Sequence, residues 1–311
     1  MGNVFFFDWE PKLMAFLQSH MGSFGITFAN ICSMFGEETL MILIMGIFYW
    51  GVNKQAGIFM GINFCTTAVW NSMIKNVALR LRPYMVHDNV KILRPIDPSA
   101  DIMDVSAQGY SFPSGHSSGS ASMFGSIAVY FKKWWVTLIC ILIPFLCGCS
   151  RFCLGAHYPT DVLCGWLLAI VSIFLIPWLI KICKKKWIAY LIITAVCIPG
   201  LFYCKTNDYF TSFGILMGVF AGNLFEEKFV NFQETKNPLK VIIRVLLGGA
   251  IYFGLNILFK LPFPKEFLES ASYGQYIFRV VRYFVIIFID IGVYPMLFDK
   301  IKFGKKKAAN A

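Results

Sequence analysis

Residues 132–182 read KKWWVTLICILIPFLCGCSRFCLGAHYPTDVLCGWLLAIVSIFLIPWLIKI. Two apolar runs, 134–152 and 160–182, flank a polar hinge, SRFCLGAHYPTD, from Ser150 to Asp161. Each run has about the 18–20 residues that a helix needs to cross a bilayer core. Lysines stand at the far ends, at Lys132, Lys133 and Lys181. The stretch therefore reads as a helical hairpin in a membrane, with an arginine, a histidine and an aspartate at its bend.

The rest of the chain repeats this pattern. Further spans are expected over 38–52, 55–78, 115–131, 187–203, 209–226, 240–259 and 278–298, nine in all. The 311 residues are 57% hydrophobic and 14% charged, with a mean hydropathy of +0.63. Soluble domains carry roughly 25% charged residues. The fold class is all-α, a polytopic membrane helical bundle. The opening MGNVFFFDWEPKLMAFLQSH lacks a basic start and a small-residue cleavage site, so it reads as an aromatic segment at the membrane interface rather than a signal peptide. The glycine-broken segment 12–34 is expected to be interfacial or re-entrant. Most of the ten cysteines fall in apolar runs and form no zinc-ligand spacing, so they read as small buried hydrophobes.

The net charge of +11 does not indicate nucleic-acid binding, because the lysines cluster between spans. Lys54, the pair Lys132 and Lys133, the run Lys181 to Lys186, and Lys228, Lys236 and Lys240 all fall on one side. The tail lysines Lys300, Lys302, Lys305, Lys306 and Lys307 continue the series. By the positive-inside rule that side, with the C-terminus, is cytoplasmic. The loops 79–114 and 153–159 then face outward.

Three unusual stretches meet at that outer edge: KNVALRLRP (Lys75–Pro83), PSGH (Pro113–His116) and the Ser150–Asp161 hinge. From Ser114 the chain descends to Lys132 and climbs back to Arg151 on two legs of equal length, about 27 Å each at 1.5 Å per residue. Lys75 and Arg82 are two helical turns apart and share a face. Lys75, Arg82 and Arg151 together call for an anion, and guanidinium forks match phosphate oxygens. Ser114 reads as a helix cap, and Gly115 lets a ligand approach helix-terminal amides that bind anions. Asp161, four residues after His157, is placed to fix its tautomer and leave a nucleophilic nitrogen. His116 beside the cradle is a proton donor for a leaving oxygen. A nucleophile, an orienting acid, a proton donor and three cations suffice for phosphoryl transfer without a metal or cofactor. Singly, these residues have blander readings: a snorkelling lysine, a helix-ending Arg-Pro, small residues that let helices pack closely. Their convergence at one depth is what points to function.

The pattern K-x6-RP, PSGH, SR-x5-H-x3-D resembles the three-part signature of the type 2 phosphatidate phosphatase superfamily, which also holds glucose-6-phosphatase and the vanadium haloperoxidases. Every signature position is matched, at Lys75, Arg82 and Pro83, at Pro113 to His116, and at Ser150, Arg151, His157 and Asp161. The likeness covers about residues 38–182. It implies a six-helix core, a phosphohistidine on His157 oriented by Asp161, and proton transfer through His116. Lys75, Arg82, Ser114, Gly115 and Arg151 would hold the phosphate. Residues 1–186 would form this core, and 187–311 a set of additional transmembrane helices with a basic cytoplasmic tail.

The expected activity is hydrolysis of a lipid phosphate or diphosphate, such as undecaprenyl pyrophosphate, phosphatidate or phosphatidylglycerol phosphate, at the outer face of a bacterial plasma membrane. Transfer to a lipid or sugar acceptor, a sugar-phosphate substrate and a non-catalytic lipid binder or transporter are the alternatives. The expected partners are the bilayer and the lipid phosphate, and the oligomeric state is left open. The segment Tyr84–Phe112, with Asp88, Asp97, Asp101 and Asp104, is expected to cap the site, its acids solvated rather than metal-binding. Arg244 and Asp290 are expected to pair within the extra spans, and Arg279 and Arg282 to lie near the outer face.

Overall fold

A computed structural model of the chain describes residues 2–298. The tail lysines from Lys300 onward therefore lie outside the described residues. The N-terminal helices α1 (Trp9–His20) and α2 (Ser23–Met34) lead into α3 (Glu38–Ile47), which runs on through a π-turn at Phe48–Val52. Then come α4 (Lys54–Ala78), the short α5 (Pro83–Val86) and α6 (Val105–Gln108), α7 (Gly115–Phe131), α8 (Trp134–Cys153) and α9 (Pro159–Ile182). The C-terminal part holds α10 (Lys186–Cys197), the short α11 (Gly200–Tyr203), α12 (Asn207–Phe225), α13 (Pro238–Lys260), the short α14 (Lys265–Glu269) and α15 (Tyr273–Phe288). No strand forms among the described residues.

Local chemistry sets the helix ends. Asn53 caps α4 by accepting from the Ala56 N–H at 2.8 Å, and Leu79 ends it in the left-handed region at φ 48°. Ser114 caps α7, which stops at Lys132 with φ 53°. Pro159 occupies the first turn of α9, where its missing N–H costs nothing.

Helices stand at all nine expected places. Five are long and apolar enough to cross a membrane: α8, α9, the α10–α11 run, α13 and the α15 run. A sixth forms if α2 and α3, which meet at a 48° bend, act as one. The remaining three, α4, α7 and α12, are too polar or too short because they face protein rather than lipid. On α4, Asn63, Thr66, Thr67, Asn71 and Ser72 are buried, while on α8 and α9 Leu138, Ile141, Leu167 and Phe174 are exposed. This inside-out arrangement keeps polar side chains partnered, as Thr67 with Ser172 and Ser122.

The largest apolar cluster joins the N-terminal and C-terminal parts of the bundle. It joins Ile58, Ile62 and Val69 of α4, Ile176 of α9, Tyr190 and Ile193 of α10, and Phe210, Leu216 and Phe220 of α12. At one end the buried Lys54 ammonium is held 3.0 Å from Glu226 and also donates to the Phe232 carbonyl. Lys132, Lys133 and Lys184 to Lys186 lie at the same end, with Trp134, Trp135 and Trp187 exposed beside them as an aromatic belt. The alternating helices return the other ends of α4, α7, α8, α9 and α12 to the opposite face.

The expected pairing of Arg244 with Asp290 does not form. Arg244 donates to the carbonyls of Trp50 at 2.8 Å and Gln233 at 3.2 Å and lies over the Phe298 ring. Asp290 accepts from the Trp50 indole through its backbone carbonyl instead. Similar projected depth does not put two side chains on facing sides of their helices.

Candidate active site

At the end opposite the lysines, a cavity of about 1200 Å³ opens between the helix termini. Lys75 of α4, Arg82 of the following turn, Gly115 and His116 of α7, and His157 of the α8–α9 hinge all line it. Ser114, Arg151 and Asp161 stand behind this wall, each essentially inaccessible to solvent.

His157 is fixed by the backbone. Its Nδ1 lies 2.7 Å from the Ser111 carbonyl oxygen. A carbonyl only accepts, so Nδ1 carries the proton and Nε2 keeps its lone pair. The Asp161 carboxylate is farther, 3.6 Å from Nδ1. It accepts instead from the Ser111 hydroxyl at 2.5 Å and the Tyr158 N–H at 2.7 Å. The acid thus orients the histidine chiefly through Ser111, which holds the ring from one side and the acid from the other. Burial first, then the charges of Arg82, Arg151 and Lys75, holds the imidazole well below the ordinary histidine range. The ring is neutral at neutral pH, as a nucleophile requires.

The hinge geometry depends on Gly155. It sits at φ +80°, and a Cβ there would meet the Lys91 carbonyl oxygen at 2.1 Å. Only glycine turns the chain there while the cap segment packs against it.

The cations differ in how they are held. Arg82 donates through Nε to the Gln108 and Gly109 carbonyls, both at 2.9 Å, and through Nη1 to Ala156 at 2.8 Å. The same Nη1 stands 3.4 Å from His157 Nε2. Arg151 donates from Nη1 to Ser33 at 2.5 Å, but its buried Nε and Nη2 have no partner among the described residues. Two orphaned guanidinium donors beside a histidine describe an anion site. Lys75 enters the cavity without a hydrogen bond or ion pair from the described residues. The amides at the start of α7 add their partial positive charge. Ser114 Oγ caps that helix, accepting from Ser117 N–H at 3.3 Å, and the Ser114 N–H donates to the Asp161 carbonyl at 3.0 Å.

His116 lines the cavity two residues after the cap, packed against the α2–α3 turn. A Cβ on Gly36 would lie 2.7 Å from His116 Cβ and 2.8 Å from Cys147 Sγ. The turn therefore fits against the histidine only as glycine.

Three contributors were not singled out from the sequence. Arg80, inside the spacer between Lys75 and Arg82, binds Asp161 at 2.6 Å and Thr160 at 2.8 Å. Its Nη2 is 3.0 Å from Glu10 of α1, and its guanidinium stacks 3.8 Å over Tyr158. Glu10 accepts in turn from the Thr160 N–H at 3.0 Å and hydroxyl at 2.7 Å. Ser111 is the third. The only advance signal was a charged residue in a spacer at membrane depth. The N-terminal segment is thus docked against the back of the site, with Asn3 bridging to the backbone on both sides of Arg80.

The cap segment borders the cavity through Ile96 and residues 105–110. Asp97, Asp101 and Asp104 each close a local turn, on Ser99, Met103 and Ser106. Bonds from Ser99 and Ser106 hold the carboxyls of Asp97 and Asp104 below the ordinary range. Among the described residues, no three histidine, cysteine or acidic side chains gather closely enough to hold a metal ion.

Two family models match the chain. The family model described as the PAP2 superfamily matches residues 56–185. A second, described as PAP2 superfamily phosphatase, transmembrane extension, matches residues 210–307. The chain is 29% identical over 164 residues to phosphatidylglycerophosphatase B of Bacillus subtilis (strain 168), covering 49% of this chain and 70% of that protein. It is 30% identical over 136 residues to undecaprenyl-diphosphatase BcrC of the same organism, covering 44% and 64%. It is 28% identical over 102 residues to lipid A 4'-phosphatase of Bacteroides thetaiotaomicron, covering 32% and 41%. The chain thus spans between about two fifths and seven tenths of the length of these relatives. No solved structure matches it significantly.

Proposed function

The chain belongs to the PAP2 superfamily, as one of its integral-membrane phosphatases, and we propose that it hydrolyses a lipid phosphate or lipid diphosphate through a phosphohistidine on His157. The observation that carries this reading is the commitment of His157 Nδ1 to the Ser111 carbonyl, which leaves the Nε2 lone pair beside Arg82 in a cavity shared with Lys75 and His116.

In the first step the Nε2 lone pair attacks phosphorus. The P–O bond to the leaving group breaks, and His116 gives that oxygen its proton. Lys75, Arg82, Arg151 and the first amides of α7 neutralise the charge gathering on the equatorial oxygens. In the second step water attacks phosphorus, His116 accepts its proton, and the P–N bond breaks to release inorganic phosphate. Asp161 stabilises the positive charge that His157 carries between the steps, through Ser111 and across 3.6 Å. Residues 1–186 carry this chemistry, and the helices from α10 to α15 complete the bundle around it.

A lipid substrate is supported by the cavity's place at the helix ends of a membrane bundle and by the lipid substrates named for the relatives. The lysine-rich end is cytoplasmic in this reading, so the site faces the outer side of a bacterial plasma membrane. Purified protein should release phosphate from lipid phosphates in detergent, with EDTA having no effect. His157→Ala should abolish release while eluting as folded protein, and wild type quenched during turnover should carry an acid-labile, alkali-stable phosphate. Full activity in His157→Ala would overturn the mechanism.

A further inference from the structure

The C-terminal helices do more than flank the site. Lys205, Asn207, Asp208 and Ser212, around the start of α12, line the same cavity as His157, with Glu269 and Tyr276 beyond them. The 203–208 segment is clamped to the outer end of α4, next to Lys75. Asn76 donates to Thr206 Oγ1 at 2.8 Å and accepts from the Lys205 N–H at 2.9 Å. Tyr203 donates to the Met73 carbonyl at 3.2 Å, and Tyr276 of α15 to the Lys205 carbonyl at 2.8 Å.

This wall is not built for the phosphate. A cavity of about 1200 Å³ far exceeds one phosphoryl group and reaches the size of small-molecule pockets. Lys75 and Arg82 lie on the α4 side, while the remainder is lined by Asp208, Glu269 and Glu38 of α3, with Lys205 the one cation beside them among the lining residues. Carboxylates repel phosphate. A hydrocarbon leaving group would strip them of water with nothing in return. Asp208 and Lys75 line the same cavity. No hydrogen bond or ion pair from the described residues occupies the Asp208 carboxylate. Once a phosphate draws the Lys75 ammonium, that carboxylate is left facing whatever bears the phosphate.

We propose that Asp208 is a specificity-determining residue: its carboxylate accepts hydrogen bonds from hydroxyl or amino groups on a polar headgroup that carries the scissile phosphate. The C-terminal extension thereby supplies the leaving-group half of the substrate site. This rests on the lipid phosphatase reading above.

The test compares phosphate release by the purified full chain from two lipids, phosphatidylglycerol phosphate and dioleoyl phosphatidate. The leaving group of the first is phosphatidylglycerol, with a hydroxyl on the carbon beside the scissile phosphate, and that of the second is diacylglycerol, with none. Wild type should prefer the first in kcat/KM. In Asp208→Ala and the isosteric Asp208→Asn, the ratio of the two kcat/KM values should fall about tenfold to a hundredfold, the worth of a charge-assisted hydrogen bond, mostly through KM. Elution profile and Tm check the fold of both variants. A ratio unchanged in folded Asp208→Asn, or a wild type that prefers phosphatidate, overturns the inference and leaves the phosphatase reading standing. Turnover of neither lipid, or turnover that survives His157→Ala, overturns that reading and the inference with it.

Discussion

Arg80 Nη1 lies 2.6 Å from Asp161 Oδ1 in a fully buried pair, closer than Asp161 comes to the His157 ring. The same guanidinium holds Glu10, so one arginine bridges two buried acids and ties α1 to the start of α9. Breaking such a cluster from one side leaves uncompensated charge, which costs about 3–5 kcal/mol. Arg80→Ala should therefore lower Tm and should also lower kcat by about 10²-fold, the usual effect of misplacing a reacting group by an ångström. Because the variant leaves more negative charge near His157, the acid limb of its kcat/KM profile should move to higher pH. Arg80→Lys keeps the charge without the fork and should recover part of both. An unmoved pH profile in folded Arg80→Ala would reduce Arg80 to a scaffold.

The depressed His157 titration has two consequences with a definite sign. Its folded value lies well below the unfolded value of about 6.5, for reasons of burial first and then Arg82, Arg151 and Lys75. Below pH 6.5 the unfolded chain binds the extra proton and the folded one does not, so stability falls as pH drops through that window. Above it this group contributes nothing to the pH dependence. Thermal midpoints between pH 7.5 and 5 should fall more for wild type than for His157→Gln. The acid limb of kcat/KM, which reports the free enzyme, should lie below pH 6.5.

Arg151 is expected to be the donor most committed to the phosphate, because its Nε and Nη2 have no other partner. Arg151→Lys keeps the charge and removes the planar fork. Two hydrogen bonds to a charged group are worth about 1.5–3 kcal/mol each, so the inhibition constant of inorganic phosphate should rise tenfold or more. Product-inhibition kinetics measure it. An unchanged constant would mean that Arg151 serves only to hold Ser33.

Gly36→Ala should displace His116, since the new methyl group meets the histidine Cβ at 2.7 Å and its carbonyl oxygen at 2.9 Å. If the variant still elutes as folded protein, its kcat should fall about tenfold or more. Proton delivery matters most for poor leaving groups. An activated aryl phosphate should therefore lose less than a lipid phosphate in the same variant.

Much of this was readable in advance, for identifiable reasons. Hydropathy marks a span wherever a helix faces lipid, so α8, α9 and α13 stood out. Polar α4 and α7 were still found, because the runs between their Ser and Thr residues have the right length. The signature residues Lys75, Arg82, His116 and His157 carry chemistry that has few other uses at a membrane edge. Arg80, Glu10 and Ser111 were hidden, since an arginine in a spacer and a serine in a loop have many uses and their partners are distant in the chain. The pairing of Arg244 with Asp290 failed for the complementary reason, that depth along a helix is readable and rotation about its axis is not.

The sequence by itself determined the places and order of the long helices, the end of the bundle at which the charged residues gather, and the phosphate chemistry that those residue types suit. Those follow from periodicity, length and local residue type. Only the tertiary structure decided that Ser111 stands between Asp161 and His157, that the N-terminal segment braces the acid through Glu10 and Arg80, and that α12 brings Asp208 into the cavity. These depend on which sides of separate helices meet, and that is set by how the whole bundle packs its buried polar groups.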